Sequence, residues 1–271
     1  MKEYVAEGQD TLKNFTDNRC APASFCFRAL LKAREIRVNG QKVSADVPLK
    51  AGDTVRYYLT PAQERKRGFT VVYEDENVLV ADKDDGVNSE AVFSAVSEAG
   101  ERFFIHRLDR NTAGLMIFAK NRAAERELLA AFRERRAEKT YLTRVVGRMK
   151  EKHAVAEAYL EKDEAAARVF VSAKPCGEKI VTEYEVLSEA NGASVLKVTL
   201  HTGKTHQIRA HLAYLGCPVA GDNKYGNEEY NRAHHLSRQR LIAKELQISG
   251  RGVLSYLSGK KFVSARELPT D

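Results

Sequence analysis

The chain has 271 residues, with 44 Lys plus Arg against 37 Asp plus Glu and a formal net charge of +7. Its 43% hydrophobic and 30% charged residues can build a sizeable core, which excludes disorder as the main state. No stretch approaches the roughly 18 apolar residues of a membrane span, and the start MKEYVAEGQD has no apolar signal core, so a cytoplasmic protein is expected. The positive excess suits a polyanionic partner, because cations that neutralise phosphates release counterions, but a charge of this size is also common among proteins without one. Cys20, Cys26, Cys176 and Cys217 form no C-x-x-C pair and are expected to be reduced thiols.

In chain order, Asp10 to Asn18 and Ser24 to Arg34 read as two short helices. The second carries Phe27, Leu30 and Leu31 at helical spacing behind Ser24 as N-cap. Ile36-Arg37-Val38 and Lys42-Val43 flank Asn39-Gly40, a pair that tolerates the positive φ of a tight hairpin turn, and a strand from Thr54 to Leu59 follows. The segments REIRVNGQKV and LKAGDTVRYYL resemble the S-four-type RNA-binding domain. That resemblance implies RNA contact through Arg28, Lys32 and Arg34; a solvated basic helix face is the alternative. Pro, Gly and a charge run in TPAQERKRG mark a linker at 61–68, separating a small module at 1–60 from a second domain at 69–271.

Beyond the linker, Val78 to Ala81, Gly114 to Ala119, Tyr141 to Val146, Val169 to Ser172, Thr182 to Leu187 and Val195 to Leu200 read as strands. Two helices are expected. Asn121 to Arg135 places Leu128, Leu129 and Phe132 on one side, and Thr205 to Leu215, capped by Thr205, turns Ile208, Leu212 and Leu215 inward. Strands that do not alternate strictly with helices predict an α+β (mixed α/β) fold with a mixed, largely antiparallel central sheet.

Familiar sites fail on spacing. Gly203-Lys204-Thr205 imitates the end of a phosphate loop, but Val198 stands where the upstream Gly is needed. His201, His206 and His211 recur every five residues, a step that splays them around a helix, so no metal site is expected. Two polar-dense segments remain. In IHRLDRNTAG, Asp109 is flanked by Arg107 and Arg110, cations that favour its carboxylate form; alone, such an Asp is more often structural than catalytic. In LHTGKTHQIRAHL, His206 and Arg209 are three apart and share a face distinct from that of Ile208 and Leu212. A planar guanidinium pairs well with a carboxylate, so Arg209 and Asp109 are a natural ion pair joining the two segments.

The blocks FFIHRLDRNTAGLMIFAKN, EKTYLTRVVG and VTLHTGKTHQIRAHLAYLGCPVAGDNKYG closely resemble the RluA-type pseudouridine synthases, in order and separation, over residues 69–248. The resemblance implies isomerisation of uridines in RNA, ribosomal RNA before transfer RNA, without cofactor or metal. It places the catalytic aspartate at Asp109, the aromatic residue near the target base at Tyr141 and the arginine that holds the aspartate at Arg209. It also implies that Arg107 helps displace the target nucleotide. His106, Thr112, Lys139, His206, Gln207 and His211 join Arg107 as expected substrate-binding residues. The sequence departs from the family at Lys83-Asp84-Asp85-Gly86, where Lys-Pro-x-Gly is usual, and at Thr112-Ala113-Gly114 in place of Thr-Ser-Gly. A C-terminal stretch also lacks the usual His and Pro.

The chemistry suits these residue types. Breaking the bond from C1′ to N1 and remaking it to C5 needs a carboxylate as nucleophile at the sugar or base at C2′. The detached uracil needs an enclosed pocket with a flat partner, and a base inside a duplex must be flipped out. The expected protein is a monomeric RNA enzyme. A non-catalytic RNA-binding or ribosome-assembly factor with the same fold is the alternative; a carboxylate glycoside hydrolase would need a second acid that the sequence does not mark.

Overall fold

The structure is a computed structural model that describes residues 1–163 and 168–269. Its centre is a large mixed sheet built around the strand Ala113–Ala119, every residue of which is buried. Side chains alternate across a strand, so an all-apolar run demands cover on both faces. Met116 and Phe118 enter one hydrophobic cluster, with Leu79, Tyr141, Val198, Ile208 and Leu212. Leu115, Ile117 and Ala119 enter another, with Ala124, Leu128 and Leu254.

Ala113–Ala119 runs antiparallel to Val78–Lys83 and parallel to Leu241–Ile248; the other strand pairs of the sheet are antiparallel among the described residues. Gly114 makes the parallel contact possible. Its φ is +112°, and a Cβ there would lie 2.3 Å from the Ala243 carbonyl oxygen. From Leu241–Ile248 the sheet continues through Ala137–Val146, Ala193–Leu200 and Glu178–Ala190 to His153–Asp163 and Arg168–Ser172. The mixed, largely antiparallel sheet read from sequence is therefore present.

The N-terminal residues have their own four-stranded sheet and a cluster holding Leu12, Phe15, Phe27, Leu30, Ile36, Val55 and Tyr57. Asn39 and Gly40 both have positive φ, 51° and 81°, as the hairpin pattern requires. The linker segment carries the helix Pro61–Arg65, capped reciprocally by Thr60 and Gln63.

Four local expectations are corrected. The helix expected over Ser24 to Arg34 is two, Ala21–Phe25 and Phe27–Ala33, and Ser24 caps neither. The break at Cys26 lets adjacent aromatics face different cores: Phe25 joins the main cluster, edge-on to Phe69, while Phe27 stays in the N-terminal one. In the helix Arg122–Arg133, capped by Asn121, Leu129 is exposed because it lies one residue, about 100°, beyond the buried Leu128. The helix Gln207–Tyr214 starts later than expected and ends before Leu215, which is exposed. Its cap position is His206 in the left-handed region (φ 55°), not Thr205, and the Gln207 side chain ties down the preceding loop instead.

A buried and a half-buried histidine make the fold sensitive to acid. His211 is fully buried with Nδ1 2.9 Å from the Thr182 hydroxyl, and burial pushes it down to about 4. His106 lies under the Phe132 ring and accepts the Ile117 N–H at Nε2; burial, then Lys139, pushes it down to about 3. Both folded values lie below the ordinary 6.5, so the unfolded chain binds more protons. Stability is full above that value and falls as pH drops through the interval to about 4. Urea unfolding from pH 7 to 4 should show this loss, and His211→Leu should flatten the slope by one proton's share; an unchanged slope contradicts the assignment.

Candidate active site

The loop between Phe103–Phe104 and Ala113–Ala119 is held from three sides. The Ser89 hydroxyl donates to the Leu108 carbonyl and accepts the Leu108 N–H, at 2.9 and 3.0 Å. Thr112 N–H closes a turn on the Asp109 carbonyl at 3.0 Å, and its hydroxyl accepts from Gln239 at 2.6 Å. Beneath, the wholly buried Lys83 ammonium donates to the carbonyls of Val87, Asp84 and Arg110 at 2.7, 2.9 and 3.1 Å. Burial pushes Lys83 down to about 7 although Asp85, Asp109 and Asp84 pull the other way. The loop backbone around Asp109 is thus fixed by side chains from other segments.

Asp109 faces Arg209 across the gap between the two polar-dense segments. Arg209 Nη1 donates to Asp109 Oδ2 at 2.7 Å, while its Nε and Nη2 form a two-pronged pair with Asp222 at 2.7 and 3.0 Å. Asp222 is buried and also accepts the backbone N–H groups of Lys224 and Tyr225. Burial alone would raise Asp222, but Arg209 and those N–H groups hold it below the ordinary carboxylate range. Asp109 Oδ1 is left toward His206 Nε2, 4.0 Å away. His206 Nδ1 is 2.9 Å from the Tyr225 hydroxyl, which also accepts the Val169 N–H. Burial lowers His206 despite Asp109, so the ring is neutral at pH 7.

Asp109 and Arg209 border a cavity of about 70 Å³ with Tyr141, Thr112, Leu200, Gln207, Ile208 and Leu241. Tyr141 is buried at its wall, and burial together with the Asp109 charge raises its hydroxyl far above neutrality. The mouth opens on a wider cleft of about 720 Å³ bordered by Arg107, Phe132, Arg133, Lys139 and Lys204. Lys139 lies over the Phe132 ring, 5.3 Å from its centre. Arg107 is exposed at the rim and pairs with Glu90.

A family model described as RNA pseudouridylate synthase matches residues 68–214. A ribosomal large subunit pseudouridine synthase C of Vibrio vulnificus (strain CMCP6) is 33% identical over 270 residues, covering 88% of this chain and 84% of the relative. The protein of the same name from Escherichia coli (strain K12) is 31% identical over 257 residues, covering 83% and 79%. The chain belongs to the RNA pseudouridylate synthase family. Among solved structures, human RNA pseudouridylate synthase domain containing 1 shares the fold, with a TM-score of 0.59 and 24% identity over 75% of this chain and 91% of that one.

Of the residues singled out in this synthase from sequence, Asp109, Tyr141, Arg209, Arg107, Thr112, His206 and Gln207 border one cavity. Lys139 and His106 border the wider cleft, though the Nε2 of His106 is already taken by a backbone N–H. His211 is a correction. It is turned away from the cavity into the packing against Thr182, because a helix residue two beyond Arg209 points to the opposite side. Gln207 braces its own loop through Thr202, Lys204, Val181 and Thr182. Arg28, Lys32 and Arg34 are exposed on and just after the helix Phe27–Ala33. Lys83, Ser89, Asp222, Tyr225 and Gln239 were missed. The GDNKYG segment lies in a quoted family block, and Lys83 in the element where the chain departs from the family pattern; Ser89 and Gln239 carry no signal.

Proposed function

We propose that this pseudouridine synthase modifies ribosomal RNA of the large subunit, with Asp109 as its catalytic residue and Arg209 and Tyr141 as its partners. The observation that carries the reading is the division of labour at Arg209. Its two prongs on Asp222 fix the guanidinium, and its remaining N–H holds one oxygen of Asp109. The Asp109 carboxylate is gripped at Oδ2 and presents Oδ1 to a sugar in the cavity. The target nucleotide leaves its helix, assisted by Arg107 at the rim, and its base enters beside Tyr141. Oδ1 then acts on the ribose, at C1′ as nucleophile or at C2′ as base, as the bond from C1′ to N1 breaks. Uracil turns on the Tyr141 ring and its C5 bonds to C1′ as Asp109 leaves C1′ or returns the proton to C2′; C5 then gives up its proton and N1 gains one. Tyr141 keeps its proton at neutral pH and serves as a wall, not as a base.

The large-subunit target follows the names of the relatives. Pseudouridine mapping of RNA from cells with and without the gene tests it. Loss of one or more large-subunit signals is expected, and an unchanged ribosomal profile would overturn the target.

Residues 1–60 are read as a separate RNA-binding module that uses Arg28, Lys32 and Arg34, supported by a hydrophobic cluster of their own and by the exposure of all three cations. Deleting them would uncover Ala91, Val92 and Val87, which pack with Ala21 and Phe25, so charge variants are the cleaner test. Lys32→Glu/Arg34→Glu should raise KM for structured RNA about tenfold or more with kcat unchanged; unaltered KM contradicts the reading.

Lys83 is read as a positioning residue for Asp109. Lys83→Met leaves the carbonyls of Val87, Asp84 and Arg110 without their donor and frees the loop at Arg110. A displacement of about 1 Å at the reacting group can cost about a hundredfold, so kcat should fall by that order with KM little changed. Lys83→Arg, with a bulkier head, should not rescue. Equal kcat in Lys83→Met and the parent protein would refute the role.

A further inference from the structure

A second concave region is bordered by the Asp109 loop at Arg110 and Asn111 and by the N-terminal residues 24–29. This cleft of about 340 Å³ is bordered by Arg28, Lys66, Arg110 and Arg238, by the carboxylates Asp84 and Asp85, and by the amides of Asn111 and Asn223. Both carboxylates are already engaged, Asp84 with Arg266 and Asp85 with Arg238 at 2.7 Å. Arg28 and Lys66 have no carboxylate partner among the described residues, although both are exposed and long enough to find one.

The guanidinium groups are brought together by Gly86. Its carbonyl accepts from Arg110 Nε at 3.1 Å, and a Cβ on it would lie 3.5 Å from Arg238 Cζ, so Arg238 packs directly over the glycine. Gly86 has a φ of +76°, which suits the residue to this turn. Burial lowers Arg110, and the fields of Arg28 and Arg238 lower it further, against Asp17 and Asp46. Three cations drawn from an N-terminal helix, the catalytic loop and the segment before Leu241–Ile248 therefore face one space, with Asp85 on Arg238 as the carboxylate paired to them within it and Asp84 turned to Arg266.

Position in the chain says which anion. Arg110 and Asn111 directly follow Asp109, and Asn223 directly follows Asp222. The cleft and the Asp109 cavity thus share their dividing wall. A strand whose base sits in the cavity carries its neighbouring phosphodiester within reach of that wall, and the two amides can serve ribose hydroxyls. We propose that Arg28, Arg110 and Arg238 form a binding site for a backbone phosphate of the substrate RNA strand, next to the nucleotide that enters the Asp109 cavity. This rests on the reading of the cavity as the uridine site. The site also couples the N-terminal module to catalysis, since Arg28 supplies one side and the catalytic loop another.

The test uses the full-length protein and in-vitro transcribed large-subunit ribosomal RNA. Arg28→Gln/Arg238→Gln removes two exposed cations and leaves the half-buried Arg110 in place. The affinity for the transcript should fall about tenfold, the slope of log Kd against log salt should become shallower by about one to two, and KM should rise in step with kcat within about twofold. Lys179→Gln/Lys261→Gln, an equal loss of charge on Glu178–Ala190 and Lys261–Val263, should leave the affinity and slope as they were. Unchanged binding in the cleft variant, or an equal loss in the control pair, overturns the phosphate site. Weaker binding in the cleft variant while the parent protein forms no pseudouridine in the transcript supports the site and overturns the large-subunit target instead.

Discussion

Asp109→Asn is expected to abolish pseudouridine formation while leaving RNA binding and the fold nearly intact. The substitution keeps size and shape but removes the negative charge, and with it the basicity and nucleophilicity that the step at the ribose needs. Losses on removing such a group run to about a thousandfold or more. The fold should tolerate it because Arg209 keeps its two-pronged pair with Asp222, and Asp109 is partly open to solvent. The loop itself is held by Ser89, Lys83 and Gln239, which do not touch the Asp109 carboxylate. The informative measurement is therefore turnover beside affinity. Turnover within about tenfold of the parent would remove Asp109 from the chemistry; lost affinity with retained turnover would make it a binding residue.

The pair at the centre of this prediction could be read in the sequence because both halves follow short-range rules. Asp109 lies between two arginines at the mouth of an apolar strand, and Arg209 lies three residues from His206 on a helix whose other face is apolar. Tyr141 could not be found this way. In the strand pattern of Ala137–Val146 it is one more half-apolar residue, and only the family blocks singled it out. Asp222 and Tyr225 sit in a loop with no periodicity, and their partners, Arg209 and Val169, are 13 and 56 residues away.

His211 shows the opposite failure. The family resemblance implies that His211 meets the substrate, but in a helix neighbours two apart diverge, and this one is satisfied wholly inside the protein. The strand Ala113–Ala119 was legible as buried, since seven apolar residues in a row leave no solvent face. Its parallel neighbour was not, because nothing local ties Gly114 to Ala243. Ser24 resembles a cap because it precedes an apolar periodicity; tertiary contact decides otherwise, and its hydroxyl donates to Asp17, which also receives Asn88, 71 residues along the chain.

Removing Arg209 should have a different outcome from removing its partner. Asp222 has no exposed side-chain surface, so Arg209→Met leaves a buried carboxylate with only two backbone N–H groups. Breaking a buried pair from one side costs about 3–5 kcal/mol, and Asp109 loses its anchor at the same time. Asp222→Asn keeps an oxygen for those N–H groups and leaves Arg209 the Asp109 carboxylate, so a smaller cost of about 1–3 kcal/mol is expected. The double variant Arg209→Met/Asp222→Leu separates structure from chemistry. With neither charge buried, much of the stability lost in Arg209→Met should return, a coupling visible in a double-mutant cycle by urea unfolding. Activity should not return with it, because nothing then holds Asp109 Oδ2. A double variant that regained turnover along with stability would show that Arg209 serves the fold alone; one that stays inactive at near-parental stability assigns Arg209 to the positioning of Asp109.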